Sequence, residues 1–207
     1  MKDTKKMVQL AVLVAIIVIM AFTPLGFLMV GPVSITFMMI PVAVAAIVVG
    51  PTGGAIAGGV FGLSAFLRGF GLSPFATTLM GINPIYTFVL MVIPRVLAGW
   101  IPGIIYLSVC RAKNKTVAAM AASLAAPLCN TILFVSALFL LFGSTEYFRG
   151  FGDTVWAIIL TLVGVNGLVE AGVGFVTGTA VSRTLVHFFP GHNIALAEPH
   201  VRKRGTV

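Results

Sequence analysis

Over 207 residues the chain is 59% hydrophobic and only 9% charged, with a mean hydropathy of +1.11, whereas soluble domains carry roughly 25% charged residues. A water-soluble globular fold is excluded, and the composition is that of an integral membrane protein. The net charge of +8 reflects topology, because a nucleic-acid binder of this charge would carry its basic patch on a soluble fold with interleaved aromatics.

A membrane span needs about 20 mainly apolar residues to cross a hydrocarbon core of about 30 Å at about 1.5 Å per residue. Six segments qualify, at roughly 7–30, 36–50, 52–70, 85–109, 116–142 and 154–188. The expected fold is therefore an all-α membrane protein, a six-transmembrane-helix bundle over residues 1–188 followed by a basic tail at 189–207. The first segment stays in the protein: "MKDTKK" is a basic start, but the apolar run is long and has no small-x-small cleavage site after it. The second and third segments are short and meet at "VVGPTGGA", where Gly50 and Pro51 force a turn and Gly53 and Gly54 restart a helix.

Cationic residues set the orientation. Lys2, Lys5 and Lys6 precede the first span, Arg111, Lys113 and Lys115 follow the fourth, and Arg183, Arg202, Lys203 and Arg204 follow or end the sixth. The opposite loops offer Arg149 against Glu146 and Asp153. The positive-inside rule then predicts that both termini are cytoplasmic.

Small residues mark helix contacts. Ala11 and Ala15 are four apart, as are Gly54, Gly58 and Gly62, and in lipid such faces let helix backbones approach closely. The alanine face has two open readings, packing inside the bundle or docking another membrane protein; the glycine face either does the same or packs internally.

Polar residues within the spans carry the functional signal. Counted from the external ends, Arg95 lies roughly 10 residues down the fourth span, with Asn130 and Asn166 roughly 12 down the fifth and sixth, so their depths agree within a turn. A central arginine costs about 2.5 to 3.5 kcal/mol on the insertion scale unless it faces a partner or water. These side chains are expected to share one interior cavity, with Asn83 and Arg68 at its rim. Glu170, the one acid within a span, sits a turn deeper than Asn166 on the same face. An Arg95–Glu170 ion pair holding two helices together is the plainer alternative, but it leaves the asparagines unexplained. A ligand site is favoured, with Glu170 orienting the guanidinium from behind.

A guanidinium fork matches a carboxylate, and carboxamides serve hydroxyls and amides, so the site suits a small, polar, anionic solute. No metal or cofactor is expected. Cys110 and Cys129 have no CxxC spacing, and His187, His192 and His200 match no zinc motif. Without HExxH, GxSxG or an acid cluster the chain does not read as an enzyme, and without GxxxxGK[ST] it cannot itself hydrolyse ATP through a P-loop.

Six spans in this length, the Ala11/Ala15 pair, "GPVSIT" before the second span, "VVGPTGGAIAGGVFG" at the next turn and the stretch before "NPIYTFVLMVIPRVLAG" resemble the substrate-binding S components of energy-coupling factor (ECF) vitamin transporters. The resemblance covers roughly residues 5–188 and is nearest to the pantothenate-specific members, whose ligand has a carboxylate, hydroxyls and an amide. It implies a multi-pass protein of the bacterial plasma membrane that binds a vitamin from outside. The implied partners are a transmembrane coupling protein (T component) and two cytoplasmic ATPases, with the Ala11/Ala15 face as a docking surface and reorientation in the bilayer during transport. The external stretch Gly71 to Pro84 would act as a lid, although a passive connector reads equally well. The remaining alternatives are an S component for another anionic solute and a stand-alone secondary carrier with Glu170 as its proton-coupling group, which small size and the lack of inverted repeats disfavour.

Overall fold

A computed structural model of the chain describes residues 2–23, 26–30, 33–112 and 115–145, together with positions 172, 175, 176 and 180. Most of the sixth expected span and the whole of the tail at 189–207 lie outside the described residues. Within them the order is α1 (Lys2–Ala21), β1 (Phe27–Val30), β2 (Val33–Thr36), α2 (Met39–Val48), α3 (Pro51–Leu67), α4 (Pro74–Ile82), α5 (Pro84–Ala112) and α6 (Lys115–Phe142). Among the described residues, α1, α5 and α6 are long and apolar enough to cross a membrane. This is a helical membrane protein.

The first helix ends at Ala21, well short of the expected residue 30. Pro24 has no N–H to continue the helix and disfavours helical backbone at the residue before it. The Gly26 N–H instead turns back to the Thr23 carbonyl, at 3.4 Å. Beyond it the chain forms an antiparallel hairpin in the register Phe27↔Thr36, Leu28↔Ile35, Met29↔Ser34 and Val30↔Val33. "VSIT" is thus one strand of a hairpin rather than the entry to a helix, consistent with β-branched Val33, Ile35 and Thr36.

The helical pair expected at residues 36–70 is present but shorter. α2 has 10 residues and rises only about 15 Å, half a hydrocarbon core. Met39, Pro41 and every residue from Val42 to Ile47 are buried, as a helix that is apolar all round requires. It runs through the centre of the bundle and touches α1, α3, α5 and α6. The turn into α3 uses Gly50 at φ +107°, a backbone conformation that favours glycine, followed by Pro51 in the first helical turn.

α3 and α5 run antiparallel and meet through glycine. A β-carbon added at Gly54 would strike the Gly99 carbonyl oxygen, one at Gly58 the Arg95 carbonyl oxygen, one at Gly62 the Met91 carbonyl oxygen at 2.7 Å, and one at Gly103 the Cα of Pro51 at 2.6 Å. Positions rise along one helix as they fall along the other, so one seam runs the length of the contact. The glycine face therefore packs inside the protein, and the register of the seam fixes which residues of α5 face α3.

The stretch from Gly71 to Pro84, expected as a loop, contains the nine-residue helix α4. Gly71 makes the turn before it, at φ +113°. Ala76 and Leu79 are buried beneath α4, and the Thr77 hydroxyl donates to the Gly69 carbonyl at 2.8 Å. The element is a helix anchored across one end of the bundle. The adjoining ends of α5 and α6 meet there through Tyr86 and Phe142, whose ring centroids are 6.2 Å apart.

Candidate functional site

Arg95 follows Pro94 within α5. Proline withholds the N–H that the Leu90 carbonyl would otherwise accept, loosening the helix just before the arginine. One terminal nitrogen of the guanidinium donates to the Met91 carbonyl at 2.9 Å. The guanidinium carbon lies 4.7 Å from the ring centroid of Phe61 on α3 and 5.0 Å from that of Phe134 on α6. Three helices therefore hold this one cation. Aromatic faces offset part of the cost of taking it from water, each by about 0.5–2 kcal/mol.

The depths agree with these contacts. At about 1.5 Å per residue, α5 descends about 13 Å from Tyr86 to Arg95, and α6 about 12 Å from Phe142 to Phe134. Asn130 lies one turn further along α6, on the same face as Phe134. It is buried, at 7% exposure, and its side-chain oxygen accepts no hydrogen bond among the described residues. A buried acceptor left so costs about 1–3 kcal/mol, and a solute hydroxyl or amide N–H would relieve that cost. Counted this way, Arg95 and Asn130 lie within about a turn of each other in depth, on the adjoining helices α5 and α6.

The other sequence candidates divide. Asn166 and Glu170 lie outside the described residues, and so does the expected Arg95–Glu170 pair. Asn83, expected at the rim, caps a helix: its side-chain oxygen accepts from the backbone N–H groups of Ile85 and Tyr86 at 3.0 and 3.2 Å, the N-cap arrangement, with Pro84 following. Arg68 follows the last residue of α3 and donates to the Ala21 carbonyl, satisfying an end group of α1. These contacts tie both residues to the scaffold at the α4 end of the bundle. Ala11 and Ala15 are exposed, on a face of α1 that also exposes Val8, Val12 and Ile19. Among the described residues the alanine pair is not packed inside the bundle. The inward face of α1 carries Leu10, Leu13, Ile17 and Ala21 instead.

Comparison with known proteins agrees with this architecture. The family model described as "ECF transporter, substrate-specific component" matches residues 5–180. The chain belongs to this family of ECF transporter S components. It is also 29% identical over 160 residues to the pantothenic acid transporter PanT of Lactococcus lactis subsp. cremoris (strain MG1363), a match covering 72% of this chain and 76% of that protein. The family is one of transport components, not of enzymes.

Sequence reasoning missed the aromatic residues of this S component's candidate site. Phe61 is fully buried, three positions beyond Gly58 on the helix that faces Arg95. Phe134 follows Asn130 at helical spacing, a signal that was available. Its ring in turn meets Phe75 of α4, with centroids 6.3 Å apart, which links the helix across the bundle end to the residues around Arg95.

Proposed function

We propose that this S component is the high-affinity pantothenate-binding subunit of an ECF-type ABC importer in a bacterial plasma membrane. The observation that carries the reading is a cation held between aromatic rings and a buried carboxamide oxygen at neighbouring depth, on the adjoining helices α5 and α6. Arg95 takes the carboxylate through two parallel hydrogen bonds. Asn130 and Asn166 serve the hydroxyls and the amide, and Glu170 orients the guanidinium. Asn83 and Arg68 shape the outer end. The relative named for pantothenic acid transport supports the choice of vitamin.

The fold reading that accompanies this function is six crossings with both termini in the cytoplasm, supported by the distribution of lysine and arginine. Energy comes from a T component and two cytoplasmic ATPases, which family membership implies in general. The exposed Ala11/Ala15 face of α1 receives the T component, since small residues permit close backbone approach in lipid.

The test is mass spectrometry of the small molecule that co-purifies with the protein, followed by calorimetric titration with pantothenate, biotin and folate. Pantothenate is expected to be carried through purification and to bind tightest, and Arg95→Ala is expected to abolish its binding in a protein that still folds. Preference for another vitamin overturns the choice of ligand; unchanged affinity in Arg95→Ala overturns the site.

A further inference from the structure

We infer that Phe134, braced by Phe75, is a positioning residue that sets the preference of the site for a carboxylate by fixing the plane of the Arg95 guanidinium. The inference rests on the reading of Arg95 as the carboxylate receptor. An arginine side chain has several rotatable bonds, and a two-point match to a carboxylate requires the plane of the fork to be set before the ligand arrives. The backbone of α5 does not set that plane by itself. The seam at Gly58 fixes where the side chain leaves the helix, and the hydrogen bond to the Met91 carbonyl tethers one terminal nitrogen. Rotation about that tether is limited, beside the orienting role proposed for Glu170, by the rings of Phe61 and Phe134 from two other helices.

Ring stacking engages the face of a guanidinium while hydrogen bonds leave from its edge, so the two do not compete. The two rings are held differently. Phe61 is fully buried in the core, whereas Phe134 is only partly buried and rests on Phe75 of α4. Phe134 is therefore the ring that joins α4, the helix across the end of the bundle, to the guanidinium.

The experiment compares calorimetric affinities for pantothenate and for its alcohol analogue, in which a hydroxymethyl group replaces the carboxylate. The wild-type protein is expected to prefer the carboxylate by roughly 10- to 100-fold, the span of a hydrogen bond to a charged group. Phe134→Leu is expected to lower that preference by about 3- to 30-fold while leaving affinity for the alcohol nearly unchanged, and Phe134→Tyr retains it. Stepwise fluorination of the ring at position 134 withdraws π density with little change of shape, and the preference is expected to fall with each step. Equal losses for both ligands, or a preference indifferent to fluorination, overturn the inference and leave the ring a packing role. If the preference is lost in Arg95→Ala but kept throughout the Phe134 series, only the role of the ring fails. A wild-type protein that binds both ligands equally removes Arg95 as the receptor, and this inference with it.

Discussion

Adding one methyl group at Gly58 is expected to damage the protein, while adding it at the next residue is not. A β-carbon at Gly58 would collide with the carbonyl oxygen of Arg95, a backbone atom that no rotamer change can move, whereas one at Gly59 would meet only the Cγ2 of Val96 at 3.5 Å. Gly58→Ala must therefore push α3 and α5 apart, and such overpacking costs about 1–3 kcal/mol, against a gain of up to about 1 kcal/mol in helix propensity. The net expectation is a loss of up to about 2 kcal/mol. Gly59→Ala keeps the propensity gain without the collision and should be neutral or stabilising by up to about 1 kcal/mol. Because the displaced atom belongs to Arg95, ligand affinity should fall in Gly58→Ala beyond what lost stability explains. Unfolding in detergent gives the stability and calorimetry the affinity, with both variants measured side by side. Equal behaviour of the two, or full stability and binding in Gly58→Ala, refutes the glycine seam as the device that positions the arginine.

Three further outcomes are expected. Asn130→Leu removes a buried acceptor that has no partner among the described residues; it should raise the stability of the ligand-free protein by about 1 kcal/mol while weakening pantothenate binding, and unchanged binding would show that this carboxamide does not serve the ligand. Asn83→Ala deletes the cap of α5 and should cost about 1 kcal/mol of stability with a smaller change in affinity; the reverse pattern in thermal unfolding and calorimetry would make it a ligand contact first. Ala11→Trp and Ala15→Trp fall on an exposed face and should leave folding and ligand binding intact but prevent co-purification with the coupling module and halt uptake in reconstituted vesicles, whereas undiminished co-purification would place the docking face elsewhere.

Much of this protein could be read along the chain. Hydropathy and the scarcity of charge assigned it to the membrane, because the cost of placing polar groups in hydrocarbon is levied residue by residue. The same cost singled out Arg95 and Asn130, and counting residues gave their depths, since the rise of a helix is fixed. Gly50 and Pro51 announced the turn between α2 and α3 through backbone preferences alone. Tertiary structure decided what depends on neighbours. The spacing of Gly54, Gly58 and Gly62 was visible, but that they lie against Gly99, Arg95 and Met91 follows from the register of two helices, which no local property carries. Ala11 and Ala15 show the same spacing and face outward, because Leu10, Leu13 and Ile17 on the other side of α1 supply the larger apolar surface to the core. That Asn83, read as a rim residue, also caps α5 was decided by its distance to two backbone N–H groups. The phenylalanines beside Arg95 read in sequence as ordinary apolar filling, and only the convergence of α3, α4, α5 and α6 gave them a cation to hold.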